Sequence, residues 1–142
     1  MATLEEISHE ISILMPMIAR RIFMDYFEDL DITQTQLLTV IALYEQSPCR
    51  LSELTARLNI AAPTTTGIID RLKNRGYVKR VPDTQDRRVV NVSLTEKGLK
   101  LAKSFRTTIK NKWKDMLENI PKDDSENYLR ILRKIQANLK QI

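Results

Sequence analysis

Residues 83–98 read DTQDRRVVNVSLTEKG. Val90, Val92 and Leu94 alternate with Asn91 and Ser93, the period of a strand buried on one face. Just before them, Arg87 and Arg88 stand side by side in a polar loop, with Asp83 and Asp86 close by. A second short strand is predicted over 77–81. The connection between the two, 82–88, is longer than a tight hairpin needs, so it should protrude as a basic wing. Thr95 then caps a long helix through about Asn119, carrying Leu99, Ala102, Phe105, Ile109, Trp113 and Met116. Gly98 in its first turn costs roughly 1 kcal/mol against alanine, a cost that a close backbone contact would explain.

The stretch before the wing gives the rest of a DNA-binding pattern. A short helix is predicted over 52–58, with Leu54 and Leu58 inward. After Asn59-Ile60-Ala61-Ala62, Pro63 suits the first position of a further helix, which runs to about Arg75 and stops at Gly76. Two short helices around so small a linker form a helix-turn-helix. On a helical wheel Ile68, Ile69 and Leu72 cluster with Thr65, while Pro63, Thr66, Gly67, Asp70, Lys73 and Asn74 occupy the opposite arc. The small outward residues of the first two turns suit a helix whose end enters a DNA groove, where threonine methyls and hydroxyls meet base edges. An ordinary solvated face is the competing reading.

At either end of the chain lie amphipathic helices. Leu4, Ile7, Ile11, Leu14, Ile18 and Ile22 stripe the first, with Pro16 expected to bend or restart it. Thr33 and Gln36 form a capping box for a second helix with Leu37, Leu38, Val40, Ile41 and Tyr44 as its buried face, broken at Ser47-Pro48. Pro121 ends the long helix. Asp123 with Glu126 reads as another capping box, and Leu129, Leu132, Ile135, Leu139 and Ile142 stripe the last helix.

Charge is unevenly spread along the 142 residues. The net charge of +5 resolves into −6 over residues 1–49, +9 over 50–110 and +2 over 111–142. A central basic patch points to a polyanionic partner, most often nucleic acid. The minor groove of A·T-rich B-DNA attracts an inserted arginine. Arg87 at the wing apex is the candidate, with Asp86 or Asp83 aiming its guanidinium, while Arg88 faces a phosphate or holds the loop together. The alternative is a turn with incidental ion pairs, worth almost nothing in stability. Pro63, Thr64, Thr66 and Gly67 are the base-reading candidates, and Arg71, Lys73 and Arg75 the phosphate candidates.

The combination Ile69-Asp70-Arg71-Leu72, Gly76-Tyr77-Val78, Asp86-Arg87-Arg88 and Leu94-Thr95-Glu96-Lys97-Gly98 resembles the MarR family of bacterial transcriptional regulators, over essentially the full chain. The resemblance implies a mainly α fold with a small β-hairpin wing. It implies a winged helix-turn-helix over 33–94 and an obligate homodimer built from the helices of 1–30 and 95–142. It also implies frequent control by a small aromatic or anionic effector, a cytoplasmic location and no enzymatic activity. Gly67 stands where the family often places a base-reading side chain, so readout should lean on DNA shape.

Other chemistries find little material. One cysteine excludes an internal disulfide, and His9 is the only histidine. No metal or cofactor is expected, and the three glycines make no phosphate-cradling loop. The family's peroxide sensors keep a cysteine in the first helix, which has none here, so Cys49 is expected to be a buried, inert thiol. Trp113, Met15, Met17 and Met24 are expected to pack in a core or interface rather than hold a ligand. The N-terminus lacks a signal-peptide pattern, and a reducing cytosol fits the cysteine usage. A winged helix used for protein–protein contact is the rival reading, and it would not need the central +9.

Overall fold

The computed structural model describes residues 1–27 and 30–139. It contains α1 (Leu4–Phe27), α2 (Gln34–Glu45), β1 (Cys49–Arg50), α3 (Leu51–Leu58), α4 (Ala62–Asn74), β2 (Val78–Pro82), β3 (Val90–Leu94), α5 (Glu96–Leu117) and α6 (Lys122–Leu139). The chain divides into two compact units, Met1–Thr107 and Thr108–Ile142.

In the first unit the local signals set the elements. Thr33 accepts a hydrogen bond from the Gln36 N–H, and Gln36 accepts one from the Thr33 N–H, each at 3.2 Å. The capping box is complete, satisfying two donors the helix ladder leaves open. Asn59 takes the left-handed conformation at φ 51°, which asparagine tolerates better than most residues, and turns the chain from α3 into α4. At the far end of α4, Gly76 has φ 80°. Its N–H bonds the Lys73 carbonyl at 3.0 Å, and the Tyr77 N–H bonds the Leu72 carbonyl at 2.9 Å, a Schellman closure. Because the Tyr77 amide is used there, β2 starts one residue later than predicted.

Three antiparallel strands make the sheet, in the order β1-β3-β2. β1 was not expected: two residues are too few to show a period, and Cys49↔Val92 and Arg50↔Asn91 are pairings across the fold. Beneath the sheet, Val40, Leu43, Leu54, Ile69, Leu72 and Val92 are fully buried and pack with Ala102 from the start of α5. The predicted face of α2 needs correcting. Leu38 is 52% exposed, whereas Leu43, Gln36 and Thr39 are buried. Thr39 is accommodated because its hydroxyl bonds the Thr35 carbonyl at 2.8 Å.

Gly98 explains the junction after the wing. A Cβ there would lie 2.1 Å from the Tyr77 carbonyl oxygen, so only glycine lets α5 start against the end of α4. Around this contact the Thr95 hydroxyl donates to the Gly76 carbonyl and accepts from the Gly98 N–H. The Lys97 amine donates to the Arg75 carbonyl at 2.7 Å and lies over the Tyr77 ring, 4.4 Å from its centroid. The Leu94–Gly98 motif is thus the clamp between the end of α4, the β2–β3 hairpin and α5.

Two expectations for the long helices are corrected: the helix does not restart at Pro16, and Asp123 does not cap α6. α1 is continuous through Pro16; the missing N–H removes one bond, and the ladder on both sides keeps the 24 residues in one element. α6 starts at Lys122, so Asp123 is inside the helix and caps nothing. The Pro121 carbonyl accepts from the Ser125 N–H at 3.1 Å, Glu126 pairs with Lys122 at 3.7 Å, and Asp123 contributes negative charge in the first turn, where the helix dipole favours it. Ile142, assigned to the last stripe, lies outside the described residues. Of the first stripe only Ile22 is buried, and Leu4, Ile7, Ile11 and Leu14 are exposed, as are Leu129, Ile135 and Leu139 of α6.

Candidate nucleic-acid interface

α4 turns the face with Thr65, Ile68, Ile69 and Leu72 into the core. Pro63 and Thr64 are exposed, and Thr66 and Gly67 half-exposed. The helix begins at Ala62, which makes Pro63 its second residue, still within the turn where a missing N–H costs nothing. The Thr66 hydroxyl donates to the Ala62 carbonyl at 3.1 Å, leaving both of its oxygen lone pairs to accept. A Cβ on Gly67 would meet nothing within 4 Å, so the fold does not require glycine there. Arg71 and Lys73 follow on the last turn, exposed and without an ion pair among the described residues. The Arg75 guanidinium is 3.2 Å from Asp31; such an exposed pair contributes about 0–1 kcal/mol and can exchange for a phosphate.

The wing is built from backbone bonds anchored on two carboxylates. β2 and β3 pair from Val78↔Leu94 to Pro82↔Val90. In the loop, Asp83 accepts from the Gln85 N–H at 2.8 Å and Asp86 from the Arg88 N–H at 3.0 Å, while the Val89 N–H bonds the Asp86 carbonyl at 3.1 Å. The backbone bond from Gln85 holds the Asp83 carboxyl below its ordinary range. These Asx-type bonds shape the loop locally.

They also correct one expected partnership. Asp86 lies 3.5 Å from the Arg88 guanidinium, and Asp83 lies 3.7 Å from that of Arg50. Neither aims Arg87, because both carboxylates are turned toward the loop backbone. Arg87 is exposed and has no partner among the described residues. Arg80 of β2 donates to Asp70 on the outer side of α4, linking the wing to that helix. No local pattern signals that pair, since its members are ten residues apart on different elements.

Residues 32–90 match the model of the MarR family. The Bacillus subtilis (strain 168) protein named as the uncharacterized HTH-type transcriptional regulator YsmB is 31% identical over 110 residues, covering 78% of this chain and 75% of that protein. The chain belongs to the MarR family. A MarR family protein from Bacillus stearothermophilus superposes with a TM-score of 0.85 at 25% identity, over 98% of this chain and 99% of that one. S. aureus MepR bound to ethidium bromide matches with a TM-score of 0.68 at 25% identity, over 90% and 95% of the two chains. This MarR-family protein is accordingly a DNA-binding transcriptional regulator with a winged-helix fold.

In this MarR-family chain the single thiol is poorly placed for chemistry. Cys49 is 1% exposed, and burial pushes its thiol up from the usual range, which disfavours the reactive thiolate. Its sulfur donates weakly to the Arg50 carbonyl at 3.4 Å. Cys49→Ser is therefore expected to leave operator affinity and its response to hydrogen peroxide unchanged in a titration of DNA binding. Release of the wild type, but not the serine variant, by peroxide would contradict this.

Proposed function

We propose that the protein is a repressor that binds a pseudopalindromic operator as a homodimer, each lobe placing α4 in the major groove and Arg87 in the adjacent minor groove. The observation that carries this reading is the unpartnered Arg87 at the tip of a wing fixed to α4 through Arg80 and Asp70. A cation held out on a hydrogen-bonded loop, with no carboxylate competing for it among the described residues, suits a narrow, negative groove. Pro63, Thr64, Thr66 and Gly67 read base edges and groove shape, and Arg71, Lys73 and Arg75 take phosphates. The winged helix is the segment 33–94. The helices of 1–30 and 95–142 form the dimer, a role supported by the exposed Leu4, Ile7, Ile11, Leu14, Leu129, Ile135 and Leu139. Repression follows from occupying the duplex, and the location is cytoplasmic, where the DNA is. No helix among the described residues is long and apolar enough to cross a membrane.

For an effector the reading is a small aromatic or anionic molecule. A cavity of about 450 Å³ is lined by Phe23, Phe27, Met24, Ala19, Arg20 and Gln34, giving aromatic walls and one guanidinium. That S. aureus MepR, of the same fold, binds ethidium bromide supports the aromatic alternative.

The test is selection of duplexes from a random library, followed by footprinting and a salt titration. The expected footprint is two-fold symmetric, with half-sites ~10 bp apart centre to centre and A·T-rich positions under the wings. Affinity should fall steeply with salt, with a log–log slope of about −0.9 per phosphate neutralised. An asymmetric footprint or salt-independent binding would favour the protein–protein alternative.

A further inference from the structure

We infer that Arg50, at the junction of β1 and α3, is a DNA-phosphate residue that acts jointly with Arg88 of the wing. The inference rests on the proposed DNA reading and adds a contact outside the recognition helix and wing tip.

Arg50 stands on rigid backbone. It pairs with Asn91 across the sheet and immediately precedes α3, at φ −66° and ψ 144°. Its side chain is 52% exposed and that of Arg88 93%. Both line a single open cavity of about 300 Å³, together with Leu51, Ser52, Val89 and Val90. Leu51 and Ser52 are the first two residues of α3, and no side chain caps that helix start. Its first N–H groups have no acceptor within the helix, and they carry the positive end of the helix dipole. Arg50, Arg88 and an uncapped helix start therefore border the same space, where a tetrahedral oxyanion competes with Asp83 and Asp86 for the two guanidinium groups.

The nearest negative group sharpens the case. Asp83, whose side chain is 12% exposed, lies 3.7 Å from the Arg50 guanidinium. Its carboxylate already accepts the Gln85 N–H. Asp83 thus holds Arg50 near the wing root by a loose contact that a phosphate oxygen can replace at closer range. DNA supplies the phosphate at this place. A duplex that takes the wing in its minor groove and α4 in the neighbouring major groove has one sugar–phosphate strand running between the two grooves. The wing root, where β1, α3 and the loop meet, is where that strand crosses. A backbone contact of this type sets register without reading sequence.

The experiment titrates wild type, Arg50→Ala, Arg50→Lys, Arg88→Ala and the double alanine variant against operator and scrambled duplex over a range of potassium chloride concentrations. Arg50→Ala should weaken both duplexes by the same factor, on the order of tenfold per half-site at about 0.1 M salt, and make the log–log slope shallower by about 0.9 per half-site. Arg50→Lys should restore the slope, since it keeps the charge. The double variant should lose less than the product of the single losses, because the two arginines share one phosphate. An unchanged slope, or a loss confined to the operator, would overturn the assignment and leave Arg50 a partner of Asp83 alone. Wild-type protein that binds neither duplex in a salt-dependent way would instead remove the DNA reading itself, and this inference with it.

Discussion

Arg87→Ala should melt like the wild type yet lose about 1–3 kcal/mol of operator binding per half-site. The stability half of this expectation follows from the loop. Arg87 is exposed and has no partner among the described residues, and substitutions of that kind stay within ~0.5 kcal/mol. The binding half follows from position, since removing a cation from a narrow groove forfeits an interaction that solvent does not replace. Arg88→Ala is the comparison. Its guanidinium sits on Asp86 and beside the Arg50 cavity, so operator and scrambled duplex should weaken together. Asp86→Ala removes the acceptor for the Arg88 N–H and loosens the loop, so it should reduce operator binding less than Arg87→Ala and lower the melting temperature slightly. Titration of each variant against both duplexes at one salt concentration, beside its melting curve, separates the cases. Wild-type operator affinity in Arg87→Ala would make the two arginines ordinary turn residues.

Gly98→Ala should destabilise the fold by about 1–3 kcal/mol, even though alanine is the better helix former by roughly 1 kcal/mol. The added methyl would stand 2.1 Å from the Tyr77 carbonyl oxygen and 3.1 Å from Leu94 Cδ2. Backbone is the neighbour, so relief requires moving α5 away from the end of α4, and with it the Thr95 and Lys97 bonds to Gly76 and Arg75. DNA affinity should fall in parallel, because the same clamp positions the wing. Gly67→Ala is the internal control. Nothing lies within 4 Å of its added methyl, so it should raise stability by roughly 1 kcal/mol. Thermal melts of the two variants should move in opposite directions, and a melting temperature for Gly98→Ala at or above wild type would refute the clamp.

How much of this was legible beforehand varied with the range of the interaction that decides each feature. Local devices could be read directly. The Thr33/Gln36 box, the Gly76 stop, the inward face of α4 and the Val90–Leu94 strand each depend on residues within a few positions, although Val90, expected on the buried face, is exposed. Misreadings came where a second local device competed. Asp123 and Glu126 have capping-box spacing, but Pro121 preorganises the helix two residues earlier. Pro16 reads as a bend or a restart, and the restart does not occur, since the 24-residue helix loses one bond to it and carries on.

Residue types and spacing by themselves determined a winged helix-turn-helix with a basic centre and apolar-striped ends, because helix caps, strand period and charge are properties of short segments. Partnership was decided only in three dimensions. Arg80 with Asp70, Arg50 with Asp83, and Arg88 rather than Arg87 with Asp86 depend on side-chain direction and strand register. The two-residue β1 exists solely because β3 lies beside it. Gly98 looked like a flaw in a helix until the Tyr77 carbonyl was seen against it. Contacts between segments far apart in the chain are set by the packing of whole elements, and no local pattern encodes which carboxylate a given arginine will meet.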